Sequence, residues 1–138
     1  MLEGYLLDTN IVSESRRLRA DAGVTAFLAL ARSEELFISV LTLGEFRKGV
    51  EAKRRTDPVA AEQLQLWADT IETEFADRVL PVDKIVARLW GELSAARPLP
   101  AIDTLIAATA IAHGLTLVTR NTRDMESTGV RLINPWKA

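Results

Sequence analysis

The chain has no cysteine and one histidine, His113. The first absence removes disulfides, thiolate nucleophiles and cysteine-based zinc sites, and it is compatible with a reducing compartment. The second means that any hydrolysis relying on a histidine base would have to use that single residue. His113 closes a helical pattern, where an imidazolium suits the helix dipole, so we expect a surface residue. No segment approaches the roughly 18 consecutive apolar residues of a spanning helix. Met1 to Leu7 carries Glu3 and no basic stretch, and its apolar run is too short for a signal peptide. We therefore expect a cytoplasmic protein without membrane association. A strong charge imbalance is missing too: 17 basic against 19 acidic residues give a formal charge of -2. Nucleic-acid binders are often strongly basic, so any such contact here must come from a local arrangement.

Apolar residues are plentiful, at 48% of the chain, and 138 residues suit a single domain with one core, spanning 1–138. Tyr5-Leu6-Leu7 reads as a short buried strand ending at Asp8. Leu36 to Leu41, Val79 to Val82 (shortened by Pro81) and the β-branched run Leu115 to Thr119 read as further strands, with Val130 to Ile133 a fifth, at an edge. Asp57-Pro58 is a helix start, Asp as N-cap and Pro at the first helical position. Ala60, Leu64, Trp67, Ile71 and Phe75 then recur at helical spacing. Asp83 is a second N-cap, ahead of Ile85, Val86, Leu89, Trp90 and Leu93. Ile102 to His113 is apolar nearly all round, which implies a buried helix, and Gly114 follows as its terminator. Trp67, Trp90 and Phe75 read as core. Arg16 to Arg19 and Lys53 to Arg55 are short basic clusters at surface positions. Strands alternating with helices predict an α/β fold, a three-layer α/β/α sandwich around a mainly parallel sheet of four to five strands.

Most of the acids, including Glu34, Glu35, Glu62, Glu72 and Glu74, read as solvated positions. Three are placed differently. Asp8 ends the first strand, Glu45 lies about one helical turn beyond the second, and Asp103 opens the apolar helix. Asn121 and Asp124 follow the fourth strand. In an open parallel sheet, ligands bind outside the carboxyl ends of the strands, and a crossover topology can bring these oxygens to one rim. Clustered carboxylates repel unless cations neutralise them, and oxygen donors without histidine or cysteine suit Mg²⁺ or Mn²⁺. Each acid also has a plainer reading: Asp103 as an N-cap, Glu45 as a solvated helix residue, Asp8 as a turn former, and Asp124 as a cap or as a surface partner of Arg120 or Arg123. Periodicity and spacing by themselves reach an α/β domain with a candidate metal site.

Several segments taken in order carry more. Leu6-Leu7-Asp8-Thr9-Asn10-Ile11, Ser39 to Glu45 (SVLTLGE), Asp103 to Ala110 (DTLIAATA), Gly114 to Asn121 (GLTLVTRN) and Ile133-Asn134-Pro135-Trp136 together resemble the PIN domain, and within it the VapC toxins and the Fit-type toxin subunits. The resemblance implies a divalent-metal-dependent endoribonuclease, the toxin of a toxin–antitoxin pair, with RNA as substrate, a VapB-like antitoxin as partner, DNA contacted only through that antitoxin, and a homodimer. Matched residue by residue, Asp8, Glu45, Asp103 and Asp124 would be catalytic, with Asp8, Asp103 and Asp124 holding the metal. Thr9, Asn10, Thr119 and Asn121 would support them. Asn121 stands where some members have Asp, and Met125 where Phe is usual. A haloacid-dehalogenase-like phosphatase would want an acid at position 10, where Asn10 stands, and a receiver domain needs an acidic pair that we do not find. The remaining alternative is a catalytically inactive PIN domain that only binds an antitoxin.

Overall fold

Leu6 and Leu7 are both buried, yet they belong to different hydrophobic clusters, and so do Phe37 and Ile38, and Leu117 and Val118. Side chains alternate across a strand, so a sheet apolar on both faces must be covered on both. The computed structural model describes residues 4–137 and shows that arrangement; Glu3 lies outside the described residues. Its strands are β1 (Tyr5–Leu7), β2 (Leu36–Ser39), β3 (Val79–Leu80), β4 (Thr116–Val118) and β5 (Leu132–Ile133). They form one sheet in the order β3-β2-β1-β4-β5, and every pairing is parallel. β5 is an edge, as expected.

The helices are α1 (Thr9–Ser15), α2 (Ala22–Leu30), α3 (Val40–Arg54), α4 (Pro58–Glu74), α5 (Lys84–Ala96), α6 (Ala101–His113) and α7 (Thr122–Met125). One face of the sheet is covered from α1, α2, α3 and α4, through Ile11, Val12, Val24, Phe46, Ala68 and Ile71. The other is covered by Ile106, Ala107 and Ala110 of α6 and by Met125. α5 packs along α6. The sandwich expected from the alternation is the fold observed.

Boundaries follow the capping chemistry. The apolar run from Leu36 does not stay extended to Leu41: Ser39 accepts the amide of Leu41 at 3.0 Å, and α3 begins at Val40. Asp57 and Asp83 cap α4 and α5 as expected, accepting from Ala60 at 3.2 Å and Val86 at 2.9 Å. Gly114 takes the left-handed conformation that ends α6 (φ 71°) and turns the chain straight into β4. The C-terminal Ile133-Asn134-Pro135-Trp136 segment lies against α2, where the carbonyl of Pro135 occupies the place a side chain at Gly23 would take.

One expectation, and one of the plainer alternatives, need correction. His113 is not a plain surface residue: the imidazole is half-buried, and its Nε2 is enclosed without a hydrogen-bond partner. Asp103 is not an N-cap, because Pro100 holds that position; Asp103 lies in the first turn of α6.

A carboxylate cleft at the carboxyl edge of the sheet

β1 is central, so the loop leaving it opens onto the middle of the sheet's carboxyl edge. Asp8 stands there, 6% exposed, and starts α1 by accepting the amide of Thr9 at 2.8 Å on Oδ1. Its Oδ2 accepts the hydroxyl of Thr119 at 2.7 Å, and the Asn10 amide group approaches the same oxygen at 3.5 Å. Thr119 follows β4, the neighbour of β1, and is fully buried. Its hydroxyl oxygen also accepts the backbone amide of Asn121 at 3.0 Å, which fixes the turn into α7.

Glu45 arrives from the opposite neighbour, β2, on the second turn of α3. Thr9 donates its hydroxyl to Glu45 Oε1 at 2.5 Å and lies 3.0 Å from the buried hydroxyl of Thr42. Glu45 is therefore anchored to the first turn of α1, which replaces the solvated reading. Asp103 comes from α6, and its Oδ2 accepts the side-chain amide of Asn121 at 3.5 Å. Asp8, Thr9, Asn10, Ser13, Glu45, Asp103 and Asn121 line one open cleft of about 400 Å³. Asp124, on α7, is exposed and does not line it, but its charge reaches Asp103; no ion pair joins it to Arg120 or Arg123 among the described residues.

Crowding shows in the protonation behaviour. Burial pushes the Asp8 carboxyl above its ordinary value, with smaller pushes from the charges of Asp103 and Glu45, against the lowering effect of Thr119 and the Thr9 amide. Asp103 is also raised, first by burial, then by Glu45 and Asp124, while Asn121 lowers it. Carboxylates crowded in this way are relieved by a neutralising cation. The donor set, carboxylates and amide oxygens with no sulfur or imidazole, fits a hard divalent ion. Among the described residues no three acidic or histidine side chains close into a ready cage.

Sequence reasoning missed Ser13 and Thr42. Ser13 lies four residues after Thr9 and so on the same face of α1, a signal that was available. Thr42 gave none, because its role depends on β1 and β2 being neighbours. An apolar trough of about 590 Å³, lined by Val40, Leu41, Gly44, Gly49, Ala52 and Ile102, adjoins the cleft through Glu45.

A parallel sheet wrapped on both faces, with acids from three crossovers converging at its carboxyl edge, defines an α/β protein with an acidic cleft. The PIN domain family matches residues 5–130, and the chain belongs to that family. It is 36% identical over 141 residues to VapC ribonuclease Y4jK of Sinorhizobium fredii, covering 96% of this chain and 97% of that protein. It is 34% identical to Toxin FitB of Neisseria gonorrhoeae, over 95% of this chain and 97% of that one. Among solved structures, FitAcB from Neisseria gonorrhoeae superposes with a TM-score of 0.82 at 33% identity, covering 97% and 99% of the two chains. VapBC2 from Rickettsia felis, bound to a DNA fragment from its promoter, gives 0.73 at 26% identity, covering 94% and 97%.

Proposed function

We propose that the chain is an endoribonuclease toxin of the VapC and FitB kind, hydrolysing RNA with Mg²⁺ or Mn²⁺ at the acidic cleft. The observation that carries this is the convergence of Asp8, Glu45 and Asp103 on one open cleft with two of the carboxyls raised. Asp8 and Asp103 are the residues that would hold the ion, with Asp124 adding charge from outside the cleft. When bound, such an ion activates water and stabilises the charge that builds on a phosphodiester under in-line attack. The chain's own residues prepare for that. Thr119 and the Thr9 amide hold the buried Asp8 carboxylate in one orientation. Thr9 fixes Glu45, whose free oxygen is left to accept a proton from water. Asn121 orients Asp103.

An antitoxin partner belongs to the same proposal, since relatives in solved structures are FitA–FitB and VapB–VapC complexes. An anionic cleft invites an arginine plug, and the adjoining apolar trough offers a seat for the partner's helix. DNA would then be reached through the antitoxin, and the working assembly is a homodimer. Among the described residues no helix is long and apolar enough to cross a membrane, in keeping with a cytoplasmic site of action.

The test is cleavage of a panel of RNAs by purified protein. EDTA should abolish cleavage, Mg²⁺ or Mn²⁺ should restore it, and His113→Ala should cleave as wild type does. Full cleavage in EDTA refutes the metal; no cleavage with either ion supports the inactive antitoxin-binding reading instead.

A further inference from the structure

A cleft lined by three acids repels the polyanion it is proposed to cut. Affinity for RNA must therefore come from cations beside it, and several of the chain's arginines are committed elsewhere. Arg17 pairs with Glu14, Arg47 with Asp69 and Glu72, and Arg54 with Glu51. Arg78 lies over Phe75, but it spends its donors on the carbonyls of Ser33, Leu36 and Glu74. Among the arginines without an ion pair, two lie against aromatic rings next to the cleft. The guanidinium of Arg16, at the end of α1, lies 5.8 Å from the centre of the Trp67 ring. That of Arg120, in the turn after β4, lies 5.0 Å from the centre of Trp136. Both are exposed, and neither has an ion pair among the described residues.

Their positions flank the acids. Arg16 and Trp67 line a hollow of about 330 Å³ that shares Thr9, Ser13 and Glu45 with the acidic cleft, on the α3 and α4 side. Arg120 precedes Asn121 of the cleft, and its backbone amide donates to Asn10 Oδ1 at 3.4 Å, on the β4 side. Each arginine therefore adjoins the cleft through residues that line it, Arg16 through Ser13 and Glu45 and Arg120 through Asn121 and Asn10. A guanidinium held near a ring by cation–π attraction makes no hydrogen bond to it, so its N–H donors remain available. That is the geometry for gripping phosphate oxygens with an already ordered side chain.

We propose that Arg16 on Trp67 and Arg120 on Trp136 are two ring-backed phosphate contacts that hold a single RNA strand on either side of the scissile bond. This rests on the ribonuclease reading above and names how the substrate is positioned. Binding of a short fluorescein-labelled single-stranded RNA, measured in EDTA against salt concentration, tests it without turnover. Each phosphate contact contributes about 0.7 to the slope of log affinity against log salt for single strands. Arg16→Gln with Arg120→Gln should lower that slope by about 1.4. In Mg²⁺ the same double variant should raise KM on the order of tenfold and leave kcat within about twofold, the pattern for lost uniform binding. The Arg→Lys pair should keep the slope. An unchanged slope and KM in protein that cleaves RNA overturns the contacts and leaves the ribonuclease reading standing. If the double Gln variant binds RNA normally but no longer co-purifies with its antitoxin, the arginines serve a protein partner and the proposal fails. A slope that falls as expected, in wild-type protein that cleaves nothing, supports the contacts and refutes the nuclease.

Discussion

Thr119→Val is the most informative single change to the support of the cleft. Valine matches threonine in shape, and position 119 is fully buried, so the change removes a hydroxyl without opening a cavity. Three interactions go with it: the donation to Asp8 Oδ2 at 2.7 Å, the acceptor for the Asn121 amide at 3.0 Å, and a long, weak one for the Asn10 side-chain amide at 3.4 Å. Hydrogen bonds to charged groups contribute roughly 1.5–3 kcal/mol, neutral ones about 1. The expected loss near neutral pH is therefore about 2–4 kcal/mol, or roughly 8–16 °C in Tm at about 4 °C per kcal/mol for a domain of this size. The loss should depend on pH. Thr119 lowers the Asp8 pKa, so the variant's folded Asp8 is raised further, while the unfolded value stays near 3.8. A raised folded carboxyl costs stability as pH climbs from the unfolded value through the folded one. The gap between variant and wild type should thus be smallest below pH 3.8 and widen above it. Thermal melts in EDTA across that range would show it. Equal melting temperatures at neutral pH, or a gap that narrows as pH rises, would refute the account of Asp8.

Asp8→Asn and Asp103→Asn should each slow RNA cleavage on the order of a hundredfold or more, since metal stabilisation is worth several kcal/mol and each ~1.36 kcal/mol is tenfold. Both should melt higher than wild type in EDTA at neutral pH, because each removes a crowded charge; a variant that cleaves at the wild-type rate marks its residue as misassigned. Asp124→Asn should weaken activation in a Mg²⁺ titration, but less than Asp8→Asn, since Asp124 stands outside the cleft and acts on Asp103 through its charge. Asn121→Asp, which adds a carboxylate inside the cleft, should keep or tighten that activation, and a loss there would assign Asn121 to orienting Asp103 alone.

Asp8 was legible because an apolar run broken by an acid needs both a strand end and a cap, and the structure supplies both at one residue. The two-sided burial of the sheet was legible for a similar reason: continuous apolar runs such as Leu36 to Ile38 leave no polar face. Ser39 shows the limit. Leu41 suits a strand as well as a helix, and a cap between two apolar residues settles the matter only in three dimensions. Asn121 and Asp124 show another, since a spacing of three gives no hint which one faces the cleft until the start of α7 is known. The tie between Thr9 and Glu45 needed the strand order, which no local pattern contains.

Asp8 meets its Thr119 partner only when β4 docks beside β1, at the far end of the chain from where folding on the ribosome begins. Domains emerge N-terminal end first, at about 5–20 residues per second. A chain interrupted before residue 100 carries Asp8 and Glu45 but neither Asp103 nor the threonine that orients the first acid. On the proposed reading the cutting edge is thus assembled last, and an unfinished polypeptide would be unable to injure the ribosome or messenger that is making it. Late assembly would then give the cell an interval between synthesis and activity in which an antitoxin could capture the freshly released chain.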